Sequence, residues 1–244
     1  MLIIRIIKTI LLFLAIACSL NQPAAQAASG VYIATGYLHC TPQNSRYTVK
    51  ITNVGNSPVN IVVSGLSASI SSSDTLGFST GYFISDNLAV QANAGIPSKF
   101  DLRGGGTLAS YGKIGDMRQW NPSLVFNYYF RNVNTIFCPF VGIGVSYIWF
   151  TNMRITNPTF LSKQLHSQTS VTIHNTWAPV FNAGLGYNFS RHIFASFSVS
   201  FLLLSTNATL HTIVQTPVGT RKVTSQSYIK PNPLITFLNV GYRF

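Results

Sequence analysis

The chain of 244 residues contains no glutamate and only four aspartates, Asp74, Asp86, Asp101 and Asp116. Charged residues of both signs together make up 8% of it. Acid–base chemistry needs carboxylates, and metal-assisted chemistry needs clustered ligands. The shortage argues against both. His39, His166, His174, His192 and His211 show no metal-ligand spacing with a cysteine or a carboxylate. No Ser-His grouping for nucleophilic catalysis stands out either. We expect no enzyme, no catalytic residue, no metal and no cofactor. Long apolar runs are missing too. Beyond the N-terminal segment, Gly, Asn, Ser or a charge interrupts every apolar stretch before it could span a bilayer as a helix. Strong helix formers are scarce, while Ser, Thr, Asn, Phe, Val and Ile are common, so an α-helical fold is disfavoured.

Residues 1–27 read as a secretory leader. Arg5 and Lys8 form a positive start, Thr9 to Leu20 an apolar middle, and Ala25-Gln26-Ala27 a small-residue cleavage site. An uncleaved anchor is disfavoured because the apolar run is short. Ala15-Ile16-Ala17-Cys18 loosely resembles a lipoprotein signal, with Ala where Leu is usual. Removing Arg5 and Lys8 with the leader takes the formal net charge from +12 to +10. Such basicity can mean nucleic acid. An exported chain without a basic-aromatic platform fits an anionic lipid surface instead, so no nucleic-acid partner is expected.

What the sequence does have is alternation. In Leu234–Phe244, Leu234, Thr236, Leu238, Val240, Tyr242 and Phe244 share one face of a strand, and Ile235, Phe237, Asn239, Gly241 and Arg243 the other. An open edge on such a strand invites mispairing, and closure onto a first strand removes it. Seven further segments alternate in the same way: 31–38, 76–82, 88–96, 120–130, 137–149, 177–189 and 193–203. Their uniformly apolar faces carry the aromatics. The opposite faces carry Gly, Ser and Asn. A soluble barrel would invert that arrangement. Short turns at 85–87, 131–135 and 190–192 alternate with long polar segments at 41–73, 99–118, 152–176 and 206–232, which read as loops, the first with a small hairpin of its own. The Gly104-Gly105-Gly106 run reads as part of a flexible loop, since no strand-to-helix context supports a phosphate cradle. Trp120, Trp149 and Trp177 mark one aromatic girdle; Tyr128, Tyr187 and Tyr242 mark the other. The predicted fold is all-β: an eight-stranded antiparallel transmembrane barrel over residues 28–244 with long extracellular loops and short periplasmic turns.

Several segments carry a family resemblance. They are Ala94-Gly95-Ile96-Pro97-Ser98-Lys99-Phe100, Asn121-Pro122-Ser123-Leu124 with Tyr128-Tyr129-Phe130, and Pro139 through Tyr147 with Phe150. Trp177, Ala183-Gly184, Gly186-Tyr187 and the closing Gly241-Tyr242-Arg243-Phe244 complete the set. In this order and spacing the chain resembles the OmpW family of outer-membrane proteins. It departs at Ser146, where the pattern has Asn, and in an unusually extended first loop. The resemblance implies a narrow barrel with an apolar internal channel for passive uptake of small hydrophobic molecules across the outer membrane of a Gram-negative bacterium.

With the long loops outside the cell, the inward residues of the upper half are Ile148, Val180, Leu202, Leu204, Ile235 and Phe237, an expected apolar lumen. The lower half, with Asn127, Gly142, Gly144, Asn182, Gly184, Gly186, Asn188, Ser196, Asn239 and Arg243, is expected to be polar and small, with Phe140 and Phe194 as exceptions. An apolar solute would then leave sideways into the bilayer. The alternative is a sealed structural or host-contact barrel that works through its loops. Arg46, Lys50, Lys99, Arg103, Lys113, Arg118, Arg154, Lys163, Arg221, Lys222 and Lys230 lie in or beside the long loops, as candidates for contact with lipopolysaccharide phosphates. Cys18 leaves with the leader. Cys40 and Cys138 fall at opposite strand ends, about 25 Å apart, and are expected to be free thiols in a monomer.

Overall fold

The computed structural model describes residues 30–43, 49–54, 57–63, 66–106, 108–130, 135–160, 169–216 and 219–244. The leader at 1–27 lies outside them. Strands are numbered in chain order, β1 to β16. Eight of them close into a ring: β1 (Val31–Thr41), β5 (Ser73–Ser85), β6 (Leu88–Gly95), β9 (Ser123–Tyr129), β10 (Phe137–Ile155), β12 (Thr176–Asn188), β13 (Ile193–Leu202) and β16 (Leu234–Arg243). Each pairs antiparallel with its ring neighbours, and the last strand returns to the first, from Tyr32↔Arg243 to Thr41↔Leu234. This is the predicted closed eight-stranded barrel, each ring strand paired with two neighbours.

The alternation holds along the wall. In β1, Tyr32, Ala34, Leu38 and Cys40 point in, and Val31, Ile33, Thr35 and Tyr37 point out. Ile143, Trp177 and Phe244 are 64%, 67% and 68% exposed, and aromatic and branched side chains dominate the outer wall. No water-facing surface of that extent would be tolerated; a bilayer core about 25 Å tall accounts for it. At the extracellular end Trp120 stacks on Trp149 at 5.6 Å, and Tyr147 bridges Trp149 and Trp177. At the other end Tyr187 contacts Phe137 and Phe189, and Tyr242 contacts His192 and Phe244.

Among the described residues, the four long segments read as loops carry paired strands. β2 (Val49–Val54) and β3 (Ser57–Val63) form the small hairpin expected in the first. That hairpin joins a second sheet in the order β11 (Thr169–Ile173), β14 (Thr206–Thr216), β15 (Gly219–Ile229), β2, β3. On the other side β10 runs past the barrel rim and pairs with β8 (Lys113–Trp120), β8 with β7 (Ser98–Gly106), and β7 with β4 (Leu66–Ile70). Gly104, Gly105 and Gly106 are therefore rungs of a paired strand, not a flexible tip. Thr, Val and Ser suit these strands. Trp120 ends β8 instead of opening β9, and Asn121-Pro122 forms the break. Pro122 has no N–H for a ladder bond.

Candidate functional site

The inward faces build three layers. The uppermost is apolar: Ile148, Val180, Leu202, Leu204, Ile235 and Phe237 all lie in one buried cluster. Ile148 and Leu204 are wholly inaccessible. The sequence reading missed four large members, Leu38, Phe100, Met117 and Val125. Phe100 and Met117 sit on β7 and β8, in a segment read as loop. The alternation of Ser98, Phe100 and Leu102 against Lys99, Asp101 and Arg103 was the available signal.

Below it runs a polar belt. Ser200 donates to Asn182 (3.1 Å), Asn182 to Asn127 (3.1 Å), and Asn127 to Gln91 (3.0 Å). Gln91 donates to Asn93 (2.5 Å), which donates to Ser123 (3.2 Å). Ser196 donates to Asn239, its partner across the β13–β16 pair (2.9 Å). Linked amides of this kind polarise one another and fix the rotamers across the lumen.

The lowest layer corrects the expectation of a small polar floor. Tyr32, Phe83, Tyr129 and Phe140 are buried there with Cys138, and Phe194 packs against them. Ring centroids are 5.3 Å apart for Tyr32–Phe83, 5.4 Å for Phe83–Tyr129 and 5.0 Å for Tyr129–Phe140. The Arg243 guanidinium lies over Phe83 and Phe194 at 5.1 and 5.7 Å and donates to Asn188 Oδ1 (3.4 Å). The physical reason is interlocking: glycines on one strand admit rings from the next. A Cβ on Gly81 would meet the Tyr32 ring at 2.4 Å, and one on Gly241 the Phe194 ring at 2.3 Å. Phe140 and Phe194 are thus members of the floor. Cys40 is in the top cluster and Cys138 in the floor, and neither is in a disulfide.

Little empty space remains. Between the top cluster and the belt is a cavity of about 40 Å³, and at the floor one of about 30 Å³. An eight-stranded barrel is that narrow. The large space is outside: an apolar groove of about 1160 Å³ on the lipid-facing wall, with Phe78, Thr80, Ala92 and Leu124 among its walls. Asn93, Ala94 and Ser123 line both the groove and the 40 Å³ cavity. That is where the β6–β9 pairing stops, at Asn93↔Ser123. Above it each side is held to its other neighbour. Ile96 N donates to Leu76 O (2.9 Å), and Thr75 Oγ1 donates to Ile96 O (2.9 Å). Pro122 O accepts from Tyr147 N (3.0 Å) and Ser146 Oγ (2.9 Å). Ser146 thus secures the β9 end of a seam in the wall.

Of the candidate phosphate-binding cations, Lys99, Arg103, Lys113, Arg118 and Arg154 come together on β7, β8 and β10, and Lys230 lies over the Tyr228 ring at 5.0 Å. Lys50, Arg221 and Lys222 are on β2 and β15 of the second sheet. Arg46 and Lys163 lie outside the described residues. One contact escaped the sequence reading. His39 Nδ1 is 2.5 Å from Asp74 across the β1–β5 pair, and Tyr37 donates to the same carboxylate. Among the described residues no three His, Cys, Asp or Glu side chains group as a metal site.

A closed eight-stranded barrel with an apolar outer wall, two aromatic girdles and a filled lumen defines a bacterial outer-membrane β-barrel protein. The OmpW family model matches residues 32–244, and the chain belongs to that family. It is 27% identical over 176 residues to outer membrane protein AlkL of Ectopseudomonas oleovorans, covering 72% of this chain and 68% of the relative. It is 26% identical over 176 residues to outer membrane protein W of Vibrio cholerae, covering 72% and 76%. A protein of Pseudomonas aeruginosa named for a dibenzothiophene metabolism operon is 26% identical over 182 residues, covering 75% and 77%. The crystal structure of the outer membrane protein OprG from Pseudomonas aeruginosa superposes with a TM-score of 0.73 at 22% identity, covering 90% of this chain and 98% of the other.

Proposed function

We propose that this barrel passes small apolar solutes from outside the cell into the bilayer, by way of the upper lumen and the seam between β6 and β9. The observation that carries the reading is the meeting of inner cavity and outer groove at Asn93, Ala94 and Ser123, directly beneath the apolar cluster. The relative named for dibenzothiophene metabolism supports a hydrophobic cargo. The belt and the floor oppose a straight path to the periplasm. A cavity of about 40 Å³ holds no such solute at rest, so passage needs the upper side chains to part. Pinning of Ile96 to β5 and of Pro122 to β10 leaves the seam as the part of the wall that can yield. The leader at 1–27 fits export to this location. The test is uptake of a labelled long-chain apolar solute by cells with and without the gene, together with Leu202→Asp and Leu204→Asp variants confirmed as folded. Gene-dependent uptake that falls in both variants is the expected result. Uptake indifferent to the gene leaves a sealed barrel and shifts attention to the extracellular sheets.

A further inference from the structure

The outward face of β7, β8 and β10 is built in an order that internal ion pairing does not explain. The register puts Lys99 opposite Arg118, Asp101 opposite Asp116 and Arg103 opposite Lys113. Like charges directly opposite one another on a sheet are destabilising. Diagonal pairs relieve part of this: Lys113 Nζ is 2.6 Å from Asp101, and Lys99 Nζ is 3.8 Å from Asp116. These two pairs engage both acids. Arg103, Arg118 and Arg154 are exposed, and none has a carboxylate within ion-pairing distance among the described residues. Arg103 and Arg118 therefore face outward with a like charge directly across the ladder, while Arg154 stands across from Asp116, which Lys99 also engages, so the face keeps an excess of positive charge.

Their height matters as much as their charge. Arg118 is two residues above Trp120, about 7 Å along the strand from the stacked Trp120–Trp149 pair of the outer girdle. Indoles of such a girdle sit at headgroup level. Lys99 and Arg118 are thus at the phosphate layer, and Arg103 stands about 13 Å further out along β7. The face continues the lipid-facing wall without a turn, because β10 runs through both.

We infer that this face binds a phosphorylated glycolipid of the outer leaflet, with Arg118 and Lys99 on a phosphate at the membrane surface and Arg103 and Arg154 on anionic groups above it. Guanidinium is suited to the task because it meets phosphate with paired, planar donors. Paired strands hold the donors in place better than loops would. The inference depends on outer-membrane placement and not on solute uptake, so either can fail without the other.

The experiment reconstitutes the full barrel in nanodiscs containing a labelled bisphosphorylated glycolipid or its dephosphorylated form. Co-retention is measured for wild type, R118Q, R103Q/R118Q/R154Q and R191Q, the last removing a charge at the periplasmic turn. Wild type should enrich the phosphorylated lipid over the dephosphorylated one. Each lost guanidinium should lower that enrichment about fivefold, and R191Q should leave it unchanged. R118K should restore only part of it. Equal enrichment of the two lipids by wild type, or unchanged retention in the triple variant, overturns the inference. Salt provides a check without mutation: raising ionic strength tenfold should weaken retention of the phosphorylated form alone. Indifference to salt counts against the site.

Discussion

The two ends of the lumen are both filled, but by different means. At the top, mostly aliphatic side chains pack with the Phe100 and Phe237 rings and no hydrogen bond directs them; of the two rings only Phe237 sits against a glycine, Gly77, and the wall beside the cluster has an unpaired seam. At the bottom, rings and a guanidinium interlock with glycines, and every strand of the wall is paired. Flexible apolar side chains can part and close again. A ring locked against a glycine backbone cannot move without shifting the strand. The difference suggests a barrel divided in function: an upper half that yields and a floor that does not.

The comparison can be broken from either end. The largest effect should come from Leu202→Asp. It puts an unpaired carboxylate where Leu202 is 2% exposed and costs on the order of 3 kcal/mol or more. Denaturant unfolding of the barrel should show the loss, and uptake by the folded fraction should fall to the level of cells without the gene. Next is Gly241→Ala, whose methyl collides with the Phe194 ring. We expect about 2 kcal/mol of destabilisation with uptake per folded barrel unchanged. Arg243→Ala removes the cation from over Phe83 and Phe194, at about 1–2 kcal/mol. Planar-bilayer recordings should still show no ionic conductance, because the Tyr32, Phe83, Tyr129, Phe140 and Phe194 rings keep the floor filled. The smallest is Ser146→Ala, about 1 kcal/mol, since Pro122 O keeps its bond from Tyr147 N. It leaves the β9 end of the seam held by the Tyr147 bond alone and should raise uptake modestly.

Sequence patterning reveals these regions unequally. The wall was legible because one face of each strand meets lipid and the other does not. From Phe137 to Trp149 the outward face is apolar throughout, while the inward face mixes Gly142, Gly144 and Ser146 with Cys138, Phe140 and Ile148. Above the membrane the contrast fades, so Gly104–Gly106 and the Thr-rich β14 read as loop although they are paired strands. The upper cluster was found in part: Ile148, Val180, Leu202, Leu204, Ile235 and Phe237 were legible, while Leu38 and Val125 on ring strands and Phe100 and Met117 above them were not. The floor was misread for another reason. Counting polarity strand by strand scores Gly81 and Gly241 as small, but each gives its space to a ring from a neighbour. The His39–Asp74 contact depends on the register of β1 with β5, which patterning along single strands does not encode.

The most direct test sets the seam against the floor in one assay. Ala94 is exposed on the outer wall and lines both the groove and the inner cavity, so Ala94→Trp should fill the seam without disturbing the fold. Uptake of a labelled apolar solute is measured for wild type, Ala94→Trp and Arg243→Ala at equal amounts of folded barrel. A lateral route predicts that Ala94→Trp abolishes uptake and that Arg243→Ala leaves it as it was. Unchanged uptake in Ala94→Trp, with a rise in Arg243→Ala, would mean that solutes pass through the floor and would contradict the account.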